Sequence, residues 1–538
     1  MECKYILCSK FQHKNKLQNM KLPKFKNEPF TDFSKKKNRQ AFEKALDKIT
    51  ARFKKEYPVT IGGEKFYTDK KHYSYNPSDK EEIVGVFQKA TAEMAIKAIE
   101  IANNTFNEWK NVPAKTRVKF LLEVAKIMRK RKHEFSAMMV YEVGKNWPEA
   151  DGDTAEAIDF LDFYAREMLR YEEGQPLVKI PGEKNKLEYL PLGVGVVIPP
   201  WNFPLAILVG MTSAAIVTGN TVVLKPSSDS PAIAQMFFEL LEEIKLPKGV
   251  VNFLTGDGSV IGDLIVTHPL TRFVSFTGSM EVGLRINELA AKKQPSQIWI
   301  KRVVAEMGGK DSIVVDADLN NFDEAVKGTV QAAFGFQGQK CSACSRVIVD
   351  EKIYDKFCDA LVEETKKLKV GSAADNPNMG PVINERSKNS ITGYVKQAID
   401  EGGKLIHGGM ELSEKGYFIQ PTIIKDVDRN GTIAQEEIFG PVLAVIKSKD
   451  FDDGLSIANN TIYGLTGAVY TKHKKKLEKA EKEFFVGNLY LNRKCTGALV
   501  GVHPFGGFNM SGTDSKAGGR DYLGLFLQAK SIAQKINK

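Results

Sequence analysis

The sequence predicts an α/β protein: a doubly wound parallel sheet followed by a second α/β unit. Three observations predict it. From Val194 onward, short apolar β-type runs alternate with helix-length amphipathic stretches, the pattern of a parallel sheet covered on both faces. The same alternation resumes near Val304. The chain has 538 residues, 42% of them hydrophobic, enough to bury cores in more than one domain.

Taken in order, residues 40–140 read as helical, because apolar positions recur at three- and four-residue spacing in "TAEMAIKAIEIANNTFNEWK" and "AKTRVKFLLEVAKIMRKRKHEF". "GQPLVKIPGEKNKLEYLPLG", Gly174 to Gly193, reads as an inserted hairpin. "VGVVIPP", "TVVLKPS", "VVNFLTG" and "RFVSFTG" read as strands, and "PLAILVGMTSAAIVTGN" as a buried helix. "SPAIAQMFFELLEEIKLPKG" reads as a helix with Ser230 as N-cap, Pro231 at its first position and Gly249 past its end. The second series runs through "DSIVVD", "FDEAVKGTVQAAFGFQ", "SRVIVD", "IYDKFCDALVEETKKL", "PVLAVIKS" and "GALVGVHPFGG". "YLGLFLQAKSIAQKI" is expected to close the chain as a strand. Like the hairpin, it is expected at a sheet edge that needs a partner chain.

Composition removes several function classes. Of the net charge of +11, residues 1–40 carry +8, which leaves +3 for the other 498 residues. That is a solvated basic arm on a nearly neutral body, without the aromatic-interleaved stripe or finger spacing of a nucleic-acid binder. Tyr189 to Leu224 carries no charge, but prolines interrupt it, and its helical part, Leu205 to Val217, is shorter than the ~20 residues of a membrane span. Six scattered cysteines and no secretory signal indicate reduced thiols in a cytoplasm.

Candidate chemistry begins with "GQKCSACSR". One C-x-x-C, with seven histidines and no second ligand pair, does not make a zinc site, so no metal is expected. Nor does it open a helix after an early strand, as a thioredoxin-like pair would. A single nucleophile remains, its thiol pKa lowered by Lys340 or by a helix start. Glu306 in "VAEMGGKD" lies among apolar neighbours, which suits a general base, although a salt-bridged Glu reads the same. Asn202 in "PPWNFP" suits an oxyanion donor or a turn cap. Lys225 at a strand end suits ribose hydroxyls or solvent alike. Gly278, Ser279 and Gly283 in "FTGSMEVG" suit a pyrophosphate at a helix start, or a plain glycine turn; no early G-x-G-x-x-G is present.

Seven motifs occur together and in order: "PPWNFP", "VVLKPS", "FTGSMEVG", "EMGGKD", "GQKCSA", "QEEIFGPV" and "PFGGFNMSGT". The chain from about Asn27 onward resembles the aldehyde dehydrogenase superfamily. "NEPFTDF", "GQKCSACSR" and "NRKCTGALVGVHPFGGFNMSGTDSKAGG" resemble most the 1-pyrroline-5-carboxylate dehydrogenase family within it. The resemblance implies a Rossmann-type cofactor domain (40–173 and 194–304), a catalytic domain (305–521), oligomerisation strands (174–193 and 522–538) and a basic arm (1–39). It implies Cys341 as nucleophile, Glu306 as the base for the deacylating water, and Asn202 with the Cys341 amide as oxyanion hole. Lys225, Ser228, Gly278, Ser279, Gly283, Glu437 and Phe439 would hold NAD. Neutral Ser228, where the family often has Glu, leaves NADP tolerance open. Ser342, Gly497 and Ala498 would hold the substrate's α-carboxylate, with Phe203 and Phe505 along its chain. Cys344 is expected to be a small buried residue.

The implied reaction is NAD-linked oxidation of L-glutamate 5-semialdehyde to glutamate, in proline breakdown, by a homodimer or larger homo-oligomer. Another aldehyde such as succinic semialdehyde, or a non-catalytic protein on the same fold, is the alternative. Met20 resembles the family's usual start, with residues 1–19 an upstream extension.

Overall fold

A computed structural model describes residues 22–413 and 415–536. Cys3, Cys8, the Met20 start and the 1–19 extension lie outside the described residues. The described part of the basic arm is largely exposed, as expected, but it is also anchored. Phe25 meets Phe163 edge-on, the amides of Glu28 and Thr31 donate to Asp159 and Asp151 at 2.6 and 2.7 Å, and the segment thereby docks on the Trp147–Glu172 helix.

Two seven-stranded sheets organise the chain. In the first, five parallel strands lie in the order Arg302–Glu306, Thr271–Thr277, Val194–Ile198, Thr221–Leu224, Val251–Phe253. An antiparallel pair, Val59–Ile61 and Glu64–Phe66, extends it. Val194, Val196 and Val223 enter the core on one face and Val197, Val222 and Leu224 the core on the other. This is why these strands are continuously apolar rather than alternating. In the second, Thr422–Lys425, Val442–Ser448, Arg346–Asp350, Ser312–Val315, Thr466–Tyr470 and Asn488–Leu491 run parallel, with Lys404–His407 antiparallel at one edge. Ile313 and Val347 face one core, Val314 and Ile348 the other.

Several expectations need correction. Residues 56–88 are not helical: Glu56–Tyr57, Asp79–Gln88 and Lys71–Asn76 form a separate three-stranded sheet, and Val59–Phe66 joins the first sheet. Gly174 to Gly193 is no hairpin; it holds one strand, Glu183–Pro191, whose antiparallel partner over nine residue pairs is Leu527–Lys535. "GALVGVHPFGG" is a loop, touching strand pairing only at Phe505, which bridges Ala517. Ser230 precedes the Pro231–Glu243 helix, but its side chain makes no cap bond. The buried Glu142 carboxylate accepts from the Ala232 and Ile233 amides at 2.5 and 2.8 Å instead. Gly249, at φ +85°, lies in the turn before Val251 rather than at the helix end. The expected boundary at 304/305 falls inside the strand Arg302–Glu306.

Candidate active site

The two sheets contribute opposite ends of their strands to one crevice. From the first come residues just past or at the carboxyl ends: Asn202, Lys225, Gly278 with Ser279, and Glu306. In a doubly wound sheet this edge, beside the switch in strand order, is where ligands bind. From the second come residues just before the amino ends: Asp311 before Ser312, Cys341 before Arg346, and Glu437 before Val442. Contacts join the two edges. Asn202 Nδ2 donates to the Gln339 carbonyl at 3.1 Å, and the Gly309 amide donates to Glu437 Oε1 at 3.1 Å.

Cys341 follows a tight turn in which Phe336 and Gln337 hold positive φ, +49° and +55°. Non-glycine residues keep such backbone only when their surroundings enforce it. Gln337 does so by donating through Nε2 to the carbonyls of Gly144 and Pro381 at 3.0 and 2.7 Å. Ser342, Ala343 and Cys344 are buried, whereas Cys341 keeps partial exposure. The Ser345 and Arg346 amides both donate to the Asp311 carbonyl at 3.2 Å, pinning the loop to the second sheet. Cys344 Sγ lies 3.3 Å from the Arg346 carbonyl, a small buried thiol as expected.

The expected activation of Cys341 by Lys340 is overturned. Lys340 Nζ is taken by Glu149 at 2.7 Å. Burial, then the charges of Asp311, Glu437 and Glu306, push the Cys341 thiol well above the usual range. A bound cation beside Sγ would reverse that balance.

Asn202 is 4% exposed, and one of its two amide hydrogens is used, on Gln339. The other is available to an oxyanion. Glu306 ends its strand with Oε1 accepting from Ser515 Oγ and Oε2 buried without a protein donor. Burial pushes its carboxyl up to about 8, against the lowering pull of the Ser515 hydroxyl, the Lys516 ammonium and the Gly507 amide, with Asp514 adding to the rise.

On the cofactor side, Lys225 is 7% exposed, and its ammonium meets only the Pro226 carbonyl, at a long 3.4 Å. Burial lowers its pKa, and its donors fit a polyhydroxyl ligand such as a ribose. His72 Nε2 donates to the Ser228 carbonyl at 2.6 Å. Ser279 caps the Met280–Ala291 helix through the Val282 amide and leaves an exposed helix start beside Gly278, the geometry an anion needs. Gly283 does something else: a Cβ there would lie 2.4 Å from Met307 Sδ, so the glycine lets helix and strand end approach. Glu437 is folded onto the Gly308–Gly309 backbone, its carboxyl pushed up to about 7 by burial. Phe439 packs edge-on against Trp201 at 5.5 Å.

On the substrate side, Phe203 lies under the Lys145 ammonium, 4.1 Å from the ring centre. Lys145 is fully buried and pairs with Asp153 at 2.7 Å; Asp153 also accepts the Ala206 amide at the start of the next helix. Gly497, at φ +87°, turns the anchor loop, and Arg493 donates to the Thr496 and Gly497 carbonyls at 2.9 and 3.3 Å. Phe505 is fixed by paired backbone bonds with Ala517. Lys145, Asp153, Arg493 and Ser515 were not singled out by sequence reasoning. Nor was Glu156, whose carboxyl burial and then the Asp153 charge push up to about 8. The available signal was charge repeating along an otherwise apolar helix, "WPEADGDTAEAIDFLDFY". Among the described residues no cluster of His, Cys, Asp and Glu suits a metal, and no helix is long and apolar enough to cross a membrane.

Residues 66–532 match the aldehyde dehydrogenase family. The chain is 56% identical over 511 residues to a 1-pyrroline-5-carboxylate dehydrogenase of Geobacillus sp. (strain WCH70), covering 95% of this chain and 99% of the relative. It is 54% identical over 513 residues to the protein of that name from Bacillus cytotoxicus, with the same coverage. Among solved structures, a 1-pyrroline-5-carboxylate dehydrogenase from Thermus with bound NAD superposes with a TM-score of 0.94 at 47% identity, over 96% of this chain and all of that one.

Proposed function

The chain belongs to the aldehyde dehydrogenase family, and we propose that it oxidises L-glutamate 5-semialdehyde, the open form of 1-pyrroline-5-carboxylate, to L-glutamate with NAD. This is the second step of proline degradation. The observation that carries the chemistry is the meeting of a partly open thiol, a spare amide donor on Asn202 and a Glu306 oxygen without a protein partner.

Cys341 Sγ gives up its proton to water and forms a bond to the aldehyde carbon. Asn202 and the Cys341 amide donate to the oxygen as it becomes negative. NAD, when bound, supplies the acceptor for the hydride that leaves that carbon. Cys341 is left holding the acyl group as a thioester. Glu306 then takes a proton from water as its oxygen attacks the thioester carbon; the carbon–sulfur bond breaks, and the thiolate and glutamate are released. Lys225 is assigned to the adenosine ribose, Gly278 and Ser279 to the pyrophosphate, and Glu437 and Phe439 to the nicotinamide end, with neutral Ser228 beside the ribose setting no charge against a 2′-phosphate.

Ser342, Gly497 and Ala498 are assigned to the α-carboxylate, and Phe203 and Phe505 to the aliphatic chain. We assign most of the cofactor contacts to the first sheet, the nucleophile to the second, the Glu183–Pro191 and Leu527–Lys535 ribbon to homo-oligomerisation, and the protein to the cytoplasm.

The test is NADH formation with pyrroline-5-carboxylate beside succinic semialdehyde and a simple aliphatic aldehyde, with NAD and NADP in parallel. Preference for pyrroline-5-carboxylate, abolished in Cys341→Ala, is expected. Turnover of the other aldehydes alone would remove the substrate assignment and leave the chemistry.

A further inference from the structure

We infer that Ser515 is a positioning residue for the deacylating base, holding Glu306 so that one carboxylate oxygen is anchored and the other faces the thioester. The inference rests on the reading of Glu306 given above. It begins with how the end of the Arg302–Glu306 strand is completed. On one side the Glu306 carbonyl accepts the Gly278 amide at 3.1 Å. On the other, residues 511–513 run antiparallel to the strand end, with Glu306 bridging Gly512. The Thr513 amide donates to the Ala305 carbonyl at 2.9 Å, the Met307 amide to the Ser511 carbonyl at 2.8 Å, and the Ala305 amide to Thr513 Oγ1 at 3.0 Å. The backbone of the base is thus clamped by a segment some two hundred positions away in the chain.

Ser515 ends that clamp. It is 2% exposed, and its hydroxyl donates to Glu306 Oε1. Two glycines close the remaining space. A Cβ on Gly506 would lie 3.0 Å from Glu306 Oε1, and one on Gly512 would lie 3.4 Å from Oε2. The serine is itself held, because Lys516 Nζ donates to the Gly487 and Gly506 carbonyls at 2.8 and 2.5 Å, and Ala517 pairs with Phe505. Position 515 is therefore a fixed point, not a mobile hydroxyl that happens to be near.

The arrangement has two consequences. A hydroxyl donated to one oxygen stabilises the ionised carboxylate, the form that works as a base. It also fixes the carboxylate plane, and misplacement of a catalytic group by about 1 Å can cost on the order of a hundredfold in rate. Acylation does not need Glu306 as base, so loss of Ser515 should slow only the hydrolytic half-reaction.

The experiment uses the full-length protein with NAD and pyrroline-5-carboxylate, followed by stopped flow and in the steady state across pH. Ser515→Ala should form the first equivalent of NADH per site at the wild-type rate. Steady-state turnover should fall by roughly tenfold, so that a burst emerges or grows. The acid limb of steady-state turnover should move to higher pH by about one unit. Ser515→Cys keeps the volume with a weaker donor and should shift in the same direction. Thr513→Val, which disturbs the clamp without touching the carboxylate, should lower thermal stability and leave the acid limb in place. An unmoved acid limb and an unchanged ratio of burst to steady rate in Ser515→Ala and Ser515→Cys would overturn the inference. Wild-type protein that makes no NADH from pyrroline-5-carboxylate would overturn the proposed function instead.

Discussion

At the residue scale, the two groups proposed to react share one electrostatic feature. Burial raises both the Cys341 thiol and the Glu306 carboxyl, the latter to about 8, and the negative Glu306 is among the charges that raise the thiol. Both working forms, thiolate and carboxylate, are the deprotonated ones, so both populations grow as pH rises. Turnover should therefore climb from pH 7 to 9, with the Glu306 step centred near 8. Glu306→Gln should keep the NADH burst and lose steady turnover, and its residual rate should lack that step. A quenched-flow count of one NADH per site, with the pH profile, checks both. Cys341, Glu306 and Asn202 were legible because each lies in a short motif next to a strand end. The charge environment was not. Lys340 is adjacent to Cys341 in sequence, yet its ammonium points to Glu149 on a distant helix.

At the element scale, two helix starts near the site are satisfied from outside their own segments. The Ala206–Val217 helix opens on Asp153, and the Pro231–Glu243 helix on Glu142, which also accepts from Ser74 at 3.0 Å. Sequence reasoning places a cap next to its helix, since a preceding serine is the usual donor-satisfying group. A carboxylate ninety residues earlier leaves no such local sign. Glu142→Ala strips acceptors from three buried donors and should cost about 2–4 kcal/mol. Ser230→Ala, with no cap bond to lose, should stay within about 0.5 kcal/mol. Thermal or denaturant unfolding of the two variants decides. Burial raises Glu142 from 4.5 to about 7. A carboxyl raised in the folded state gives stability that is full below its unfolded value. That share is lost as pH climbs through 7, so the gap between Glu142→Ala and wild type should narrow over pH 4.5–7. The strands at residues 56–88 escaped for a related reason. "KHYSYN" and "DKEEIVGVFQ" carry polar and charged residues where a buried strand would be apolar, because Asp79–Gln88 is buried only over its second half and Lys71–Asn76 only in part.

At the scale of the whole molecule, periodicity revealed the strands of both sheets but not how the sheets face each other. That the crevice takes carboxyl ends from one sheet and amino ends from the other depends on contacts such as Asn202 with Gln339, 137 positions apart. The ribbon is harder still to read. Glu183–Pro191 finds its partner in Leu527–Lys535, more than three hundred residues on, so a local hairpin was the natural expectation. A two-stranded ribbon is marginal alone in water, and this one is largely exposed along both strands, with neither strand paired to anything else among the described residues. Its open edges are the feature that soluble proteins usually cover. A second copy supplies matching edges by symmetry, which is the ground for assigning the ribbon to homo-oligomerisation. Full-length protein should then run in light scattering as a dimer or a multiple of one. Truncation after Gln528 removes most of one strand but leaves Leu527, whose carbonyl accepts from Arg302 in the first sheet. The truncated chain should shift to the monomer mass while still binding NAD, because the residues assigned to the cofactor lie at the facing edges of the two large sheets and not on the ribbon. A truncated chain that kept the wild-type mass would show that the subunits meet elsewhere.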